Sequence, residues 1–144
     1  MIVTRLCSLL DIDFPIINAP MTGTATAELA TAVSKAGAFG MIGAALNPDP
    51  SWLKEQIQAV REKTDKPFGV GFISSATGME KNVEAALDAK VAAISHSFAD
   101  PTPFIEQAQG SGVKVFTQVQ TCLLYTSDAA DERSSVDLGG RRII

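Results

Sequence analysis

The sequence predicts an α/β protein, the N-terminal half of a (β/α)8 TIM barrel with parallel strands, truncated. Three observations predict it. Short apolar segments begin near residues 15, 39, 68, 91 and 113. Amphipathic stretches with helix-cap residues lie between them, and alternation of this kind builds a parallel sheet with crossover helices. The spacing is near-constant and the loops are short, which favours a barrel over an open doubly wound sheet. A complete barrel needs about 250 residues, whereas this chain has 144.

Each element follows from its residues. Thr4 to Leu10 reads as a short helix with Leu6, Leu9 and Leu10 apolar, closing the barrel bottom or packing at an edge. Cys7 within it reads as a small buried hydrophobe, since no nearby base would activate it. Pro15–Asn18 reads as a short buried strand. The backbone then breaks at Pro20 and Gly23, and a helix follows from Thr26 to Ala36. Thr24 or Thr26 can cap it, Glu28 complements its first turn, and Gly37 ends it as a left-handed cap. Leu29, Ala30 and Val33 form its apolar stripe.

Phe39–Ala44 is the second strand. Its glycines Gly37, Gly40 and Gly43 lie before and within a strand, so they fail the dinucleotide fingerprint. Asp49 caps the next helix and Pro50 takes its first position. That helix runs to about Lys63 with Trp52, Leu53, Ile57 and Val60 inward. Phe68–Ile73 is the third strand. Gly69 and Gly71 inside it mark either the close approach of another group or tight packing in a small barrel. A helix follows from Met79 to Ala89, with Val83, Ala86 and Leu87 inward.

Val91–Ser95 is the fourth strand, with His96 at its C-terminal end. His96 is the chain's one histidine, a residue type suited to general-base work, but no carboxylate is placed to orient it. Asp100 and Pro101 open another helix, with Phe104, Ile105 and Ala108 inward and Gly110 and Gly112 ending it. Val113–Val119 is the fifth strand, with Gln118 and Gln120 near its C-terminal end.

In β/α proteins the segment past a strand's C-terminal end is where ligands sit. Ala19-Pro20-Met21 occupies that place after the first strand. Pro20 removes a backbone donor and Gly23 permits unusual dihedrals. The residues leave two readings open: a loop lying against a flat cofactor, or an ordinary turn.

Hydrophobic residues make up 46% of the chain and charged residues 19%, with a net charge of −4. This is a globular composition without a nucleic-acid footprint. No apolar run is long enough to cross a bilayer, and the start lacks a signal peptide. Two cysteines, Cys7 and Cys122, make no disulfide framework. A cytoplasmic protein with reduced thiols is the expectation, and no metal-ligand cluster stands out.

From Cys122 the pattern fails. The block Cys122–Glu132 and the block Val136–Ile144 resemble the in-frame translation of a transposase-type sequencing-library adapter, separated by a gap the size of a sample index. Segments of that origin are set aside in fold reasoning. The expected organisation is therefore a native half-barrel over 1–121 and a non-native, disordered tail over 122–144, with the chain ending where the DNA read ended.

Residues 1–121 resemble the nitronate monooxygenase family, formerly 2-nitropropane dioxygenases. The resemblance is carried by Pro15-Ile-Ile-Asn-Ala-Pro-Met21, by Glu28-Leu-Ala and Ala32-Val-Ser-Lys-Ala-Gly37, by Phe39-Gly40, by Pro67-Phe-Gly-Val-Gly-Phe72, and by Ile94-Ser95 with Phe98-Ala99-Asp100-Pro101. Flavin-type enoyl-acyl-carrier-protein reductases and inosine monophosphate dehydrogenases share parts of it. The resemblance implies an FMN-dependent TIM barrel that oxidises alkyl nitronates with O2, or alternatively an NAD(P)H-using flavin reductase. It implies that the Ala-Pro-Met loop lies along the isoalloxazine, with cofactor-binding roles for Asn18, Ala19, Pro20 and Met21. It also implies that Gly71 approaches the flavin, where relatives often carry Asn, and that Gln118 or Gln120 lines its edge. The family's catalytic histidine and phosphate-binding loops belong to later strands, and His96 does not align with that histidine. A non-functional half-barrel is the reading of another class for the 144 residues alone, with open sheet edges that invite aggregation.

Overall fold

The computed structural model describes residues 4–45, 49–76, 78–98, 100 and 102–118. The expectations for Asn47-Pro48, Pro101, Val119, Gln120 and the tail over 122–144 lie outside them. The element order is α1 (Arg5–Leu10), α2 (Ala27–Lys35), β1 (Gly40–Gly43), α3 (Pro50–Arg61), β2 (Phe68–Ile73), α4 (Met79–Asp88), β3 (Ala93–Ser97), α5 (Thr102–Ser111) and β4 (Lys114–Thr117). The four strands form one sheet in the order β1-β2-β3-β4. All three pairings are parallel, with Gly40 opposite Phe68, Gly69 opposite Ala93, and Ala93 opposite Lys114.

The helices follow from local chemistry. Asp49 caps α3, its carboxylate accepting from the Ser51 N–H at 2.9 Å, and Pro50 takes the first turn. Asp100 receives the Thr102 N–H in the same way at 3.0 Å. Thr26 precedes α2 but its side chain makes no cap. The Ala27 N–H donates instead to Gln56 Oε1 of α3, so a tertiary contact replaces the local one. Three helices end alike. After α2 the N–H groups of Gly37 and Ala38 bond Ser34 and Val33, and after α4 those of Lys90 and Val91 bond Leu87 and Ala86. After α5 those of Gly112 and Val113 bond Gln109 and Ala108. This is the paired closure that needs a left-handed residue, supplied by Gly37, Lys90 and Gly112.

The sheet separates two apolar layers. Ile42, Val70, Phe72, Ile94 and Val115 face the helices and pack on Leu53, Ile57, Val60, Val83, Ala86 and Ala108. On the opposite face Phe39, Met41, Ala93 and Phe116 gather over Cys7, Leu10 and Ile12. Helix α1 thus caps the end at which the strands begin.

Two expectations change. The segment Pro15–Asn18 is not a buried strand. It makes a single parallel rung, Ile17 with Phe39, while Ile16 is 60% exposed and Phe14 42% exposed. Among the described residues nothing lies over its apolar side chains, so they meet solvent. The fourth strand runs Ala93–Ser97 rather than Val91–Ser95, because Lys90 and Val91 are consumed in closing α4.

Candidate functional site

The strands' C-terminal ends open on a cleft of about 360 Å³ lined by Ala19, Pro20, Met21, Thr22, Ala45, Gly71, Phe72, Ile73, Ser97 and Phe98. It is mostly apolar. The turn after Ile17 forms one wall. Met21 O accepts the Thr24 N–H at 3.1 Å and the Ala25 N–H at 2.6 Å, and Gly23 takes φ +80°, folding residues 21–25 into a tight turn. The ends of β2 and β3 form the other walls.

The sheet is shaped to let that turn in. A Cβ on Gly71 would lie 2.2 Å from Pro20 Cβ, and one on Gly43 would lie 2.7 Å from Pro20 O. Both are far inside van der Waals contact, so only glycine fits. A Cβ on Gly69 would meet Met41 Sδ at 2.6 Å. The glycines of β2 therefore answer to this chain's own packing: Gly69 under Met41, Gly71 under the Pro20 ring.

Ala19, Pro20, Met21 and Gly71 come together in the cleft. Asn18 does not line it. Its carboxamide turns toward β1, donating to Met41 O at 3.0 Å and accepting from Met41 N–H at 2.8 Å. Gln118 follows β4, its N–H bonded to His96 O at 3.1 Å, with its side chain exposed and outside the lining. Gln120 lies outside the described residues.

Ser97 and Phe98 were not singled out as lining residues. They depend on the two-residue offset of β3, which alternation alone could not fix. Phe98 takes φ +67° and stays 56% exposed at the mouth of the cleft. A bulky residue in the left-handed region is strained, and such residues cluster at ligand sites.

His96 sits behind the sheet. It is 1% exposed, stacked on Phe72 at 5.7 Å and on Phe104 of α5 at 4.7 Å. Its Nδ1 pairs with Ser74 Oγ at 3.0 Å, and among the described residues Nε2 has no partner. Burial lowers its pKa from 6.5 to about 4, so it is neutral at pH 7 and cannot reach the cleft as a base. Among the described residues no group of three or more His, Cys, Asp or Glu could hold a metal ion, and no helix is long and apolar enough to cross a membrane.

The residues present fit the ring of a flavin and not its phosphate. The cleft offers a flat wall of Pro20 and Met21, with Met21 46% exposed, and an apolar floor. Among the described residues no basic side chain and no helix N-terminus lines it.

The family model described as nitronate monooxygenase matches residues 3–82. The chain belongs to the nitronate monooxygenase family. It is 47% identical over 66 residues to a nitronate monooxygenase of Paraburkholderia phytofirmans, covering 45% of this chain and 18% of that protein. It is 42% identical over 67 residues to a probable nitronate monooxygenase of Staphylococcus saprophyticus, covering 46% of this chain and 19% of that protein. Among solved structures it resembles FabK from Thermotoga maritima with a TM-score of 0.85 and 33% identity, covering 90% of this chain and 42% of that one. The chain thus spans less than half of these relatives. Its parallel sheet and helices are the N-terminal half of a TIM barrel, in a flavin-dependent family of oxidoreductases.

Proposed function

We propose that this chain is the N-terminal, flavin-facing half of an FMN-dependent nitronate monooxygenase that oxidises alkyl nitronates with O2. The observation that carries this reading is the placement of Ala19-Pro20-Met21 opposite Gly71 at the strands' C-terminal ends. Pro20 and Met21 would hold one face of the isoalloxazine, and Ile73 and Phe98 would exclude water from its edge. Ser97 is a polar side chain within reach of a bound ring or substrate. When bound, FMN supplies the electron transfer and the oxygen activation. The protein's part is position and shielding.

The base and the phosphate contacts are expected from later strands. No histidine and no cation lines the cleft among the described residues, so the 144 residues alone are proposed to be inactive and to hold FMN weakly. Residues 122–144 are proposed to be adapter-derived and to add nothing to the site. The enzyme is proposed to work in the cytoplasm on a small molecule.

The likeness to FabK favours a second reading, a flavin reductase that takes hydride from NAD(P)H. One experiment separates the two. The uninterrupted reading frame past Thr121 is recovered and the purified full-length enzyme is assayed with FMN. Nitronate-dependent O2 uptake is expected. NADH oxidation without nitronate turnover would favour the reductase, and a colourless protein that FMN does not restore would refute both.

A further inference from the structure

The edge of β1 shows a substitution of side chain for backbone. In a parallel ladder, each edge residue of one strand exchanges an N–H and a C=O with alternate residues of its neighbour. Phe39 does so with the preceding segment: its N–H reaches Ile16 O at 2.9 Å, and its C=O accepts the Asn18 N–H at 3.2 Å. The next rung would join Met41 to the backbone of residues 18 and 20. Residue 20 is proline and has no N–H to give.

The carboxamide of Asn18 supplies that rung. Its Oδ1 takes the Met41 N–H at 2.8 Å, standing in for its own backbone carbonyl. Its Nδ2 donates to Met41 O at 3.0 Å, standing in for the donor Pro20 lacks, and to Ala19 O at 2.9 Å. One rung further, the Gly43 N–H is met by Ala25 O at 2.8 Å. The turn 19–24 is therefore an excursion pinned at both feet, at Met41 by Asn18 and at Gly43 by Ala25. Between them the backbone is free to leave the sheet and set the Pro20 ring on Gly71.

We infer that Asn18 is a positioning residue whose carboxamide completes the β1 ladder in place of Pro20 and so fixes the height of Ala19-Pro20-Met21 above Gly71. Asp keeps the acceptor but sets a carboxylate oxygen against Met41 O. Ala keeps neither bond. The consequence for flavin affinity rests on the function proposed above; the geometry does not.

The test is nuclear magnetic resonance on the 144-residue chain without flavin. In Asn18→Ala the Met41 amide exchanges about tenfold faster or more, as loss of one hydrogen bond implies. Cross-peaks between the Pro20 ring and the Gly71 α-protons disappear, while the Ile42 and Val70 amides keep their protection. Asn18→Asp separates the two halves of the rung: Met41 stays protected, yet the Pro20–Gly71 cross-peaks are lost. Persistence of those cross-peaks in either variant overturns the proposal. So does a uniform loss of protection at Met41, Ile42 and Val70, which would mark a general stability role. Neither readout involves FMN, so failure of FMN to bind the full-length enzyme would sink the functional reading alone.

Discussion

Acidification tests the burial of His96. Its native pKa of about 4 lies below the 6.5 of an ordinary histidine. The unfolded chain therefore binds more protons than the folded one between those values. Stability from this group is complete above pH 6.5 and is lost as the pH falls through 6.5 toward 4. The full difference is worth about 3 kcal/mol, and about 2 kcal/mol is already gone at pH 5. For a domain stable by about 5–15 kcal/mol this is a large fraction. The cause is burial: His96 is 1% exposed, so protonation would strip the imidazolium of water, and among the described residues Nε2 has no hydrogen-bond partner to compensate. The assay is urea unfolding at pH 7.5 and pH 5.0 for the wild type and for His96→Phe, whose ring suits the same stack. Carboxylates common to both proteins cancel. The wild type should lose about 2 kcal/mol more than the variant, a midpoint displacement of about 1–2 M urea. Equal losses in the two proteins, or a His96 ring proton titrating near 6.5, would refute the argument.

Other substitutions probe the site and its supports. Gly71→Ala should push the Pro20 ring off β2, since the new Cβ would lie 2.2 Å from Pro20 Cβ; thermal unfolding should show a loss of about 1–3 kcal/mol. Lys90→Gly should stabilise by about 1 kcal/mol, because Lys90 holds φ +50° at the close of α4; an unchanged melting temperature would deny the strain. Ser34→Ala should cost about 1–3 kcal/mol in urea titration. That hydroxyl donates to Pro67 O at 2.9 Å and accepts the Gly40 N–H at 3.2 Å, tying α2 to β1 and to the start of β2.

Much of the fold was legible because local and tertiary preferences agree. Phe68–Ile73 reads as a strand and is one over the same residues. Asp49-Pro50 reads as a helix start and is one. The disagreements have physical causes. The end of α4 was placed within one residue, but Lys90 adopts a conformation usually given to glycine and Val91 is used in closing the helix, so β3 came two residues late. Pro15–Asn18 has a strand's composition but only one rung of pairing. At the site, residue types located the turn and Gly71 but not their orientation. Asn18, expected at the cofactor, lies outside the cleft lining and hydrogen-bonds Met41, since a carboxamide can serve either partner. Ser97 and Phe98 were missed with the offset of β3. His96 was expected just past a strand, but it lies within β3 on the helix-facing side and packs on Phe72 and Phe104.

The Pro20 ring resting on Gly71 carries the turn before α2 across β1, which it touches at Gly43, onto β2. The depth of the pocket is therefore written in two distant places at once. A single methyl group added to the strand would lift the roof without touching a residue of the roof itself.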